Sequence, residues 1–117
     1  MTEESAENLE WDTVGLVRCE PARSGYRVVL VGEVDLTLAG EWQKALAILA
    51  EAQPRDVTVD LSAATFIDSS ALGSLIRLHR EIAARGGRTV LTGASGAVAR
   101  TLQLSGLDSV IPTMTHG

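Results

Sequence analysis

The sequence predicts an α/β domain with a mostly parallel sheet and an N-terminal hairpin, in the order β-β-α-β-α-β-α-β. Three observations carry this. Val28-Val29-Leu30-Val31 is apolar on consecutive positions, as in a strand covered on both sides or central in its sheet. Two segments, Leu38 to Gln53 and Ser70 to Arg85, place apolar residues at helical spacing. These segments alternate with short β-branched runs, the pattern that builds crossover connections and parallel pairs.

Val14 to Glu20 reads as the first strand, with Leu16 and Val17 at its centre. Pro21 to Gly25 carries turn chemistry, and Tyr26 to Val31 is the second strand, so the two make a hairpin. Gly32-Glu33-Val34-Asp35 then leaves the sheet edge. Thr37 is expected to cap the first helix, whose stripe is Leu38, Trp42, Ala45, Leu46 and Leu49, and Pro54 ends it. Asp56 to Leu61 is the third strand, parallel to the second through a right-handed crossover, with Val57, Val59 and Leu61 on one face. Ser62 to Ile67 is expected as a loop, with Phe66 and Ile67 tucked under the next helix.

That second helix buries Leu72, Leu75, Ile76, Leu78, Ile82 and Ala83, and Gly86-Gly87 closes it by a left-handed cap, with Arg85 at its negative end. Thr89 to Thr92 is the fourth strand, Gly93 to Gly96 a turn with Ser95 as cap, and Ala97 to Leu104 a third helix closed by Ser105-Gly106. Val110-Ile111 is the expected last strand, before Pro112.

The 117 residues fit one domain with a single core. That core is aliphatic, because Trp11, Trp42, Tyr26 and Phe66 are the only aromatics. Residues 1–12 read as a flexible acidic arm, 13–112 as the domain and 113–117 as a tail. The net charge is −5, and the ten basic residues, all arginine except Lys44, are scattered, which argues against a nucleic-acid backbone as partner. Cys19 is the lone cysteine, so no internal disulfide forms. No signal peptide and no membrane span are read, and the expected place is the cytoplasm.

Function is expected where a strand ends and a helix begins, at Asp68-Ser69-Ser70, since ligands of open α/β sheets gather beyond the strands' C-terminal ends. Asp and Ser before a helix are its commonest caps, so a plain capping role accounts for one of them. Three polar residues stand where one suffices. A serine there has an exposed hydroxyl suited to phosphorylation, and a helix N-terminus tolerates the added dianion.

No catalytic, metal or cofactor site is read. His79 lies ten residues from Ser69, roughly 15 Å along one helix at about 1.5 Å per residue, out of reach for a hydrolase triad. It reads as a half-buried, satisfied histidine. His116 falls in the tail, and one cysteine with two histidines at no useful spacing gives no zinc site. Gly93-Ala94-Ser95-Gly96 lacks the lysine and the glycine fingerprint of a phosphate loop. Trp42 and Cys19 read as structural.

Phe66-Ile67-Asp68-Ser69-Ser70-Ala71-Leu72-Gly73 resembles the signature of the bacterial anti-sigma factor antagonists, the STAS domain family. Gly32-Glu33-Val34-Asp35 resembles that family's second motif, and Gly86-Gly87 and Ser105-Gly106-Leu107 fall where the family has them; the likeness covers about residues 14–111. It implies a single STAS-like domain without catalysis of its own, working by partner switching in transcription regulation. Unmodified, such a protein binds an anti-sigma factor that is itself an ATP-dependent serine kinase. Phosphorylation of the serine after the aspartate, here Ser69 with Ser70 as the lesser alternative, ends that binding, and a phosphatase resets it.

The partner-binding set implied is Glu33, Asp35, Asp68, Ser69 and Ser70. Ala71 stands where the family often has glycine. The chain ends at Gly117, where many relatives continue into a further helix, so part of the sheet or a neighbouring helix is expected to be uncovered. The alternative is a STAS accessory subunit that is never phosphorylated, serving a membrane transport complex or sensing a nucleotide through its glycine-bordered loops.

Overall fold

A computed structural model describes residues 15–114. The expected arm at 1–12 and the end of the tail at 115–117 lie outside the described residues. Five strands and three helices follow the expected order. They are β1 (Leu16–Ala22), β2 (Gly25–Val34), α1 (Ala39–Ala52), β3 (Asp56–Ile67), α2 (Ser69–Ala84), β4 (Arg88–Thr92), α3 (Gly96–Ser105) and β5 (Thr113–Met114). Two 3₁₀ turns, Leu36–Leu38 and Leu107–Ser109, precede α1 and follow α3.

The sheet runs β1-β2-β3-β4-β5, with β1 antiparallel to β2 and every other pair parallel. Register places Val28, Val59 and Leu91 in one row, and Val57 beside Thr89 in the next. This face is buried and packs on Trp42, Ala45, Leu46 and Leu49 of α1, Leu75, Leu78 and Ile82 of α2, and Val98 and Leu102 of α3. Alternate strand residues, such as Arg27, Thr58 and Arg88, turn to the other face and stay at least partly exposed.

Several boundaries differ from the sequence reading. Pro21 lies in β1 opposite Tyr26, and the hairpin loop is only Arg23-Ser24. An edge strand accepts proline because one side of its ladder is unused. β2 does not leave the sheet at Gly32. It continues to Val34 through an irregularity at Gly32, where φ is +69°, a backbone state that glycine alone enters without steric cost. β3 likewise runs to Ile67, because its segment 63–67 has the extended β2 as a partner.

Alternation on that extension buries Ile67, as expected, but leaves Phe66 46% exposed rather than tucked under α2. On α2, Ala83 is exposed, while Ala71 joins the buried stripe. Thr37 caps nothing; Asp35 takes that role for the 3₁₀ turn. Val110 is exposed and Ile111 buried beside the second 3₁₀ turn, so the last strand falls at Thr113–Met114, residues read from sequence as tail.

The glycine end of α2 agrees with the chemistry read from sequence. Gly86 has φ +79°, and the N–H groups of Gly86 and Gly87 donate to Ala83 and Ile82 at 2.9 Å each. Arg85, expected at its own helix end, reaches instead to the Leu49 carbonyl in the last turn of α1 at 3.2 Å. On the edge strand, the Val17 N–H donates to Glu41 Oε1 at 2.8 Å, so a first-turn residue of α1 covers an open ladder position of β1.

Thr89 is 1% exposed and its hydroxyl has no hydrogen-bond partner. A buried unpaired hydroxyl costs on the order of 1–3 kcal/mol, and valine keeps the shape without it. Thr89→Val is therefore expected to raise unfolding stability by about 1 kcal/mol, read as a higher urea midpoint at unchanged slope. An unchanged or lower midpoint would contradict the assignment.

Candidate functional site

Parallel pairing brings the C-terminal ends of β2 and β3 side by side, with Glu33 beside Phe66 and Val34 beside Ile67. Both chains then turn away together, one into Asp35 and the 3₁₀ turn, the other into Asp68 and α2. The Asp68 N–H donates to the Val34 carbonyl at 3.2 Å, which closes the end of the ladder. The two motifs far apart in sequence thus form one corner.

Asp68 has extended backbone and is the N-cap of α2, its Oδ1 accepting from the Ala71 N–H at 3.0 Å. The same oxygen accepts from the Ser70 hydroxyl at 2.7 Å. The Leu36 N–H of the first 3₁₀ turn also faces this carboxylate and favours its charged form. Burial alone would raise the Asp68 pKa, but the hydrogen bonds from Ser70, Ala71 and Leu36 outweigh it and hold the group below the ordinary aspartate value.

Asp35 repeats the device on a smaller scale. Its Oδ1 accepts from the Thr37 N–H at 3.0 Å and from the Thr37 hydroxyl. Glu33 is exposed and takes part in none of the ion pairs Arg18–Glu20, Arg27–Glu20 and Arg77–Glu81.

With Asp68 capping and Ser70 supporting the cap, Ser69 is the member left over. It is exposed at the first position of α2, and its hydroxyl makes no hydrogen bond among the described residues. The first N–H groups of a helix lack intrahelical partners and carry the positive end of its dipole, so the environment of this hydroxyl favours an anion.

The other residues weighed from sequence stay outside this corner. His79 is half-buried as expected, yet its Nδ1 has no partner, so it is not the satisfied histidine anticipated. Trp42 is core, with its indole N–H unpaired. Burial, with Glu20 next to it, pushes the Cys19 thiol up, which suits a structural role. Ser95 sits at the N-cap of α3 without a side-chain hydrogen bond. Among the described residues no group of three His, Cys, Asp or Glu could hold a metal ion, and no helix is long and apolar enough to cross a membrane.

The residue that sequence reasoning missed is Leu36, which joins the corner through its N–H. Its one signal was an apolar residue between Asp35 and Thr37, off the stripe of α1.

The STAS domain family model matches residues 23–116. The chain belongs to the STAS domain family. An anti-sigma-B factor antagonist of Listeria monocytogenes is 25% identical over 84 residues, 72% of this chain and 74% of that protein. Among solved structures, an anti-sigma-factor antagonist (STAS) domain protein from Planctomyces limnophilus has a TM-score of 0.76 at 24% identity, covering 86% of this chain and 91% of that one. The Bacillus cell fate determinant SpoIIAA in its phosphorylated form has a TM-score of 0.67 at 24% identity, with the same coverage. Proteins named anti-sigma factor antagonists are thus among the relatives of this STAS-family chain.

The depressed pKa of Asp68 fixes the sign of a pH effect. Its carboxylate stabilises the fold fully above the unfolded aspartate pKa of about 3.9, and this contribution is lost as pH falls through the lower folded value. Asp68→Ala is expected to cost about 1 kcal/mol at neutral pH, the usual size of a lost N-cap. Denaturation across a pH series should show the wild-type and variant curves converging below about pH 4. Curves that stay parallel down to acid pH would contradict the role given to the carboxylate.

Proposed function

We propose that the chain is an anti-sigma factor antagonist working by partner switching, with Ser69 as the switch. Unmodified, it binds an anti-sigma factor that is also an ATP-dependent serine kinase, in the cytoplasm where ATP is available. That kinase transfers the γ-phosphoryl group to Ser69. The Oγ–P bond forms, the bond to the β–γ bridging oxygen breaks, ADP leaves, and the hydroxyl proton passes to a base of the kinase. The modified form no longer binds, and a phosphatase restores it by hydrolysis of the ester.

The observation that carries this reading is the uncommitted Ser69 hydroxyl between an occupied Asp68 and an occupied Ser70. Modification there breaks no hydrogen bond of the fold. A phosphate adds close to two negative charges and three acceptors at a helix end that favours anions by roughly 0.3–2 kcal/mol. The fold persists while the surface changes. The neighbouring Glu33 and Asp35 make the docking face acidic, which favours a partner carrying basic residues and speeds encounter.

The test is the intact mass of the protein from its native cells, with the peptide spanning Asp68 mapped, followed by reaction of variants with the kinase and ATP. One phosphate on Ser69 is expected. Ser69→Ala should bind the anti-sigma factor equally with and without ATP. Ser70→Ala should still be phosphorylated, with a stability loss of about 1 kcal/mol for its bond to Asp68. Protein wholly unmodified in growing and in stressed cells would overturn the switch and favour the unphosphorylated accessory subunit.

A further inference from the structure

Most of the corner is polar, but two large apolar side chains stand open on it. Leu36 is 69% exposed and Phe66 is 46% exposed. They come from different chain segments that meet at this corner. Leu36 follows Asp35 just past the end of β2, its N–H facing the Asp68 carboxylate, and Phe66 lies two residues before Asp68, paired across the ladder with Glu33. Neither exposure follows from a failure of packing. Their neighbours Val34, Leu38 and Ile67 are 0–4% exposed: strand geometry turns Phe66 away from the buried Ile67, and the 3₁₀ turn Leu36–Leu38 buries Leu38 while leaving Leu36 outside. Large apolar groups fixed on a rigid edge and rimmed by polar ones mark a protein-binding site.

We propose that Leu36 and Phe66 are the apolar anchors of the partner-binding face, seated in apolar recesses of the anti-sigma factor whose rim carries arginine or lysine opposite Glu33 and Asp35. This rests on the partner-switching reading and adds what supplies the affinity. Charge decides the occupant. Residues 33–38 and 66–73 contain three carboxylates and no lysine or arginine. A second copy of this chain seated face to face would set carboxylate against carboxylate, with no base between them. A partner of basic character meets no such repulsion. Aromatic and aliphatic anchors at the centre of an interface hold most of its energy, while charges at the rim mainly raise the association rate. Leu36 and Phe66 stand on the same corner as Ser69, so a phosphate there adds a dianion to the face they anchor, where an unpaired dianion is costly to bury.

The test is calorimetric titration of the purified anti-sigma factor, without ATP, into wild type, Leu36→Ala, Phe66→Ala and Leu104→Ala. Leu104 is the control, being 82% exposed on α3, away from the corner. Leu36→Ala and Phe66→Ala are each expected to weaken Kd by about tenfold or more, at unchanged thermal midpoint, with Leu104→Ala as wild type. Added salt should weaken all four by a common factor, since the carboxylates remain in each. Two substitutions in different segments keep the result readable if one lowers stability. If wild type binds and Ser69 is phosphorylated, yet both variants bind as wild type does, the anchors are wrong and the switch stands. If wild type shows no binding, both fall.

Discussion

The corner depends on one carboxylate. Asp68 receives the Ala71 N–H and the Ser70 hydroxyl of its own helix and faces the Leu36 N–H of the 3₁₀ turn, while its own N–H closes the β2–β3 ladder at Val34. These partners belong to three elements: α2, the 3₁₀ turn and β2. One residue thus ties three elements together. Several hydrogen bonds to the charged form hold its pKa down, so the group stays ionised wherever the protein is folded near neutrality. The arrangement leaves Ser69 free because its neighbours have already satisfied the cap.

Under the proposed phosphorylation of Ser69, that division of labour lets the surface change charge without changing shape. A hydroxyl that capped the helix would lose its bond on phosphorylation, and the first turn of α2 would loosen with it. Here the capping oxygen belongs to Asp68, and the modified group points from a position whose backbone is held by others. The long parallel ladder below contributes the rigidity. Extending β2 to Val34 and β3 to Ile67 brings fixed strand backbone up to the residues at the edge.

Element order, the stripes of α1 and α2, the parallel β2–β3 pair and the glycine cap at Gly86 were all legible, because each rests on local spacing or on a residue with one conformational use. The ends of β2 and β3 were not. Gly32 and Ser62 look like loop starts when read alone, and each segment is strand only because the other one pairs with it. Phe66 was misplaced for the same reason. A loop reading lets an aromatic turn inward, whereas strand alternation next to a buried Ile67 forces it out. In the site, Asp68, Ser69 and Ser70 were visible as a group, but their separate roles were not. Three adjacent polar residues compete for one cap, and only geometry decides which of them takes it. The part of Leu36 runs through its backbone N–H, which carries no side-chain signature at all.

The acidic and apolar parts of this edge answer different needs of a switch. Apolar burial does not depend on salt or protonation, so Leu36 and Phe66 suit a contact that must hold in the unmodified state. Carboxylates steer encounter from a distance but contribute little once solvent screens them. A phosphate acts on neither by displacement. On the proposed Ser69 site it would place a strongly hydrated dianion on the face that carries the two anchors, and an interface closing over it would have to strip that hydration without a partner charge in place. An edge with only charges would be modulated gradually by one more charge. An edge whose affinity requires dry contact would be switched off by it, which is the role the proposed switch gives to apolar groups on the serine's corner.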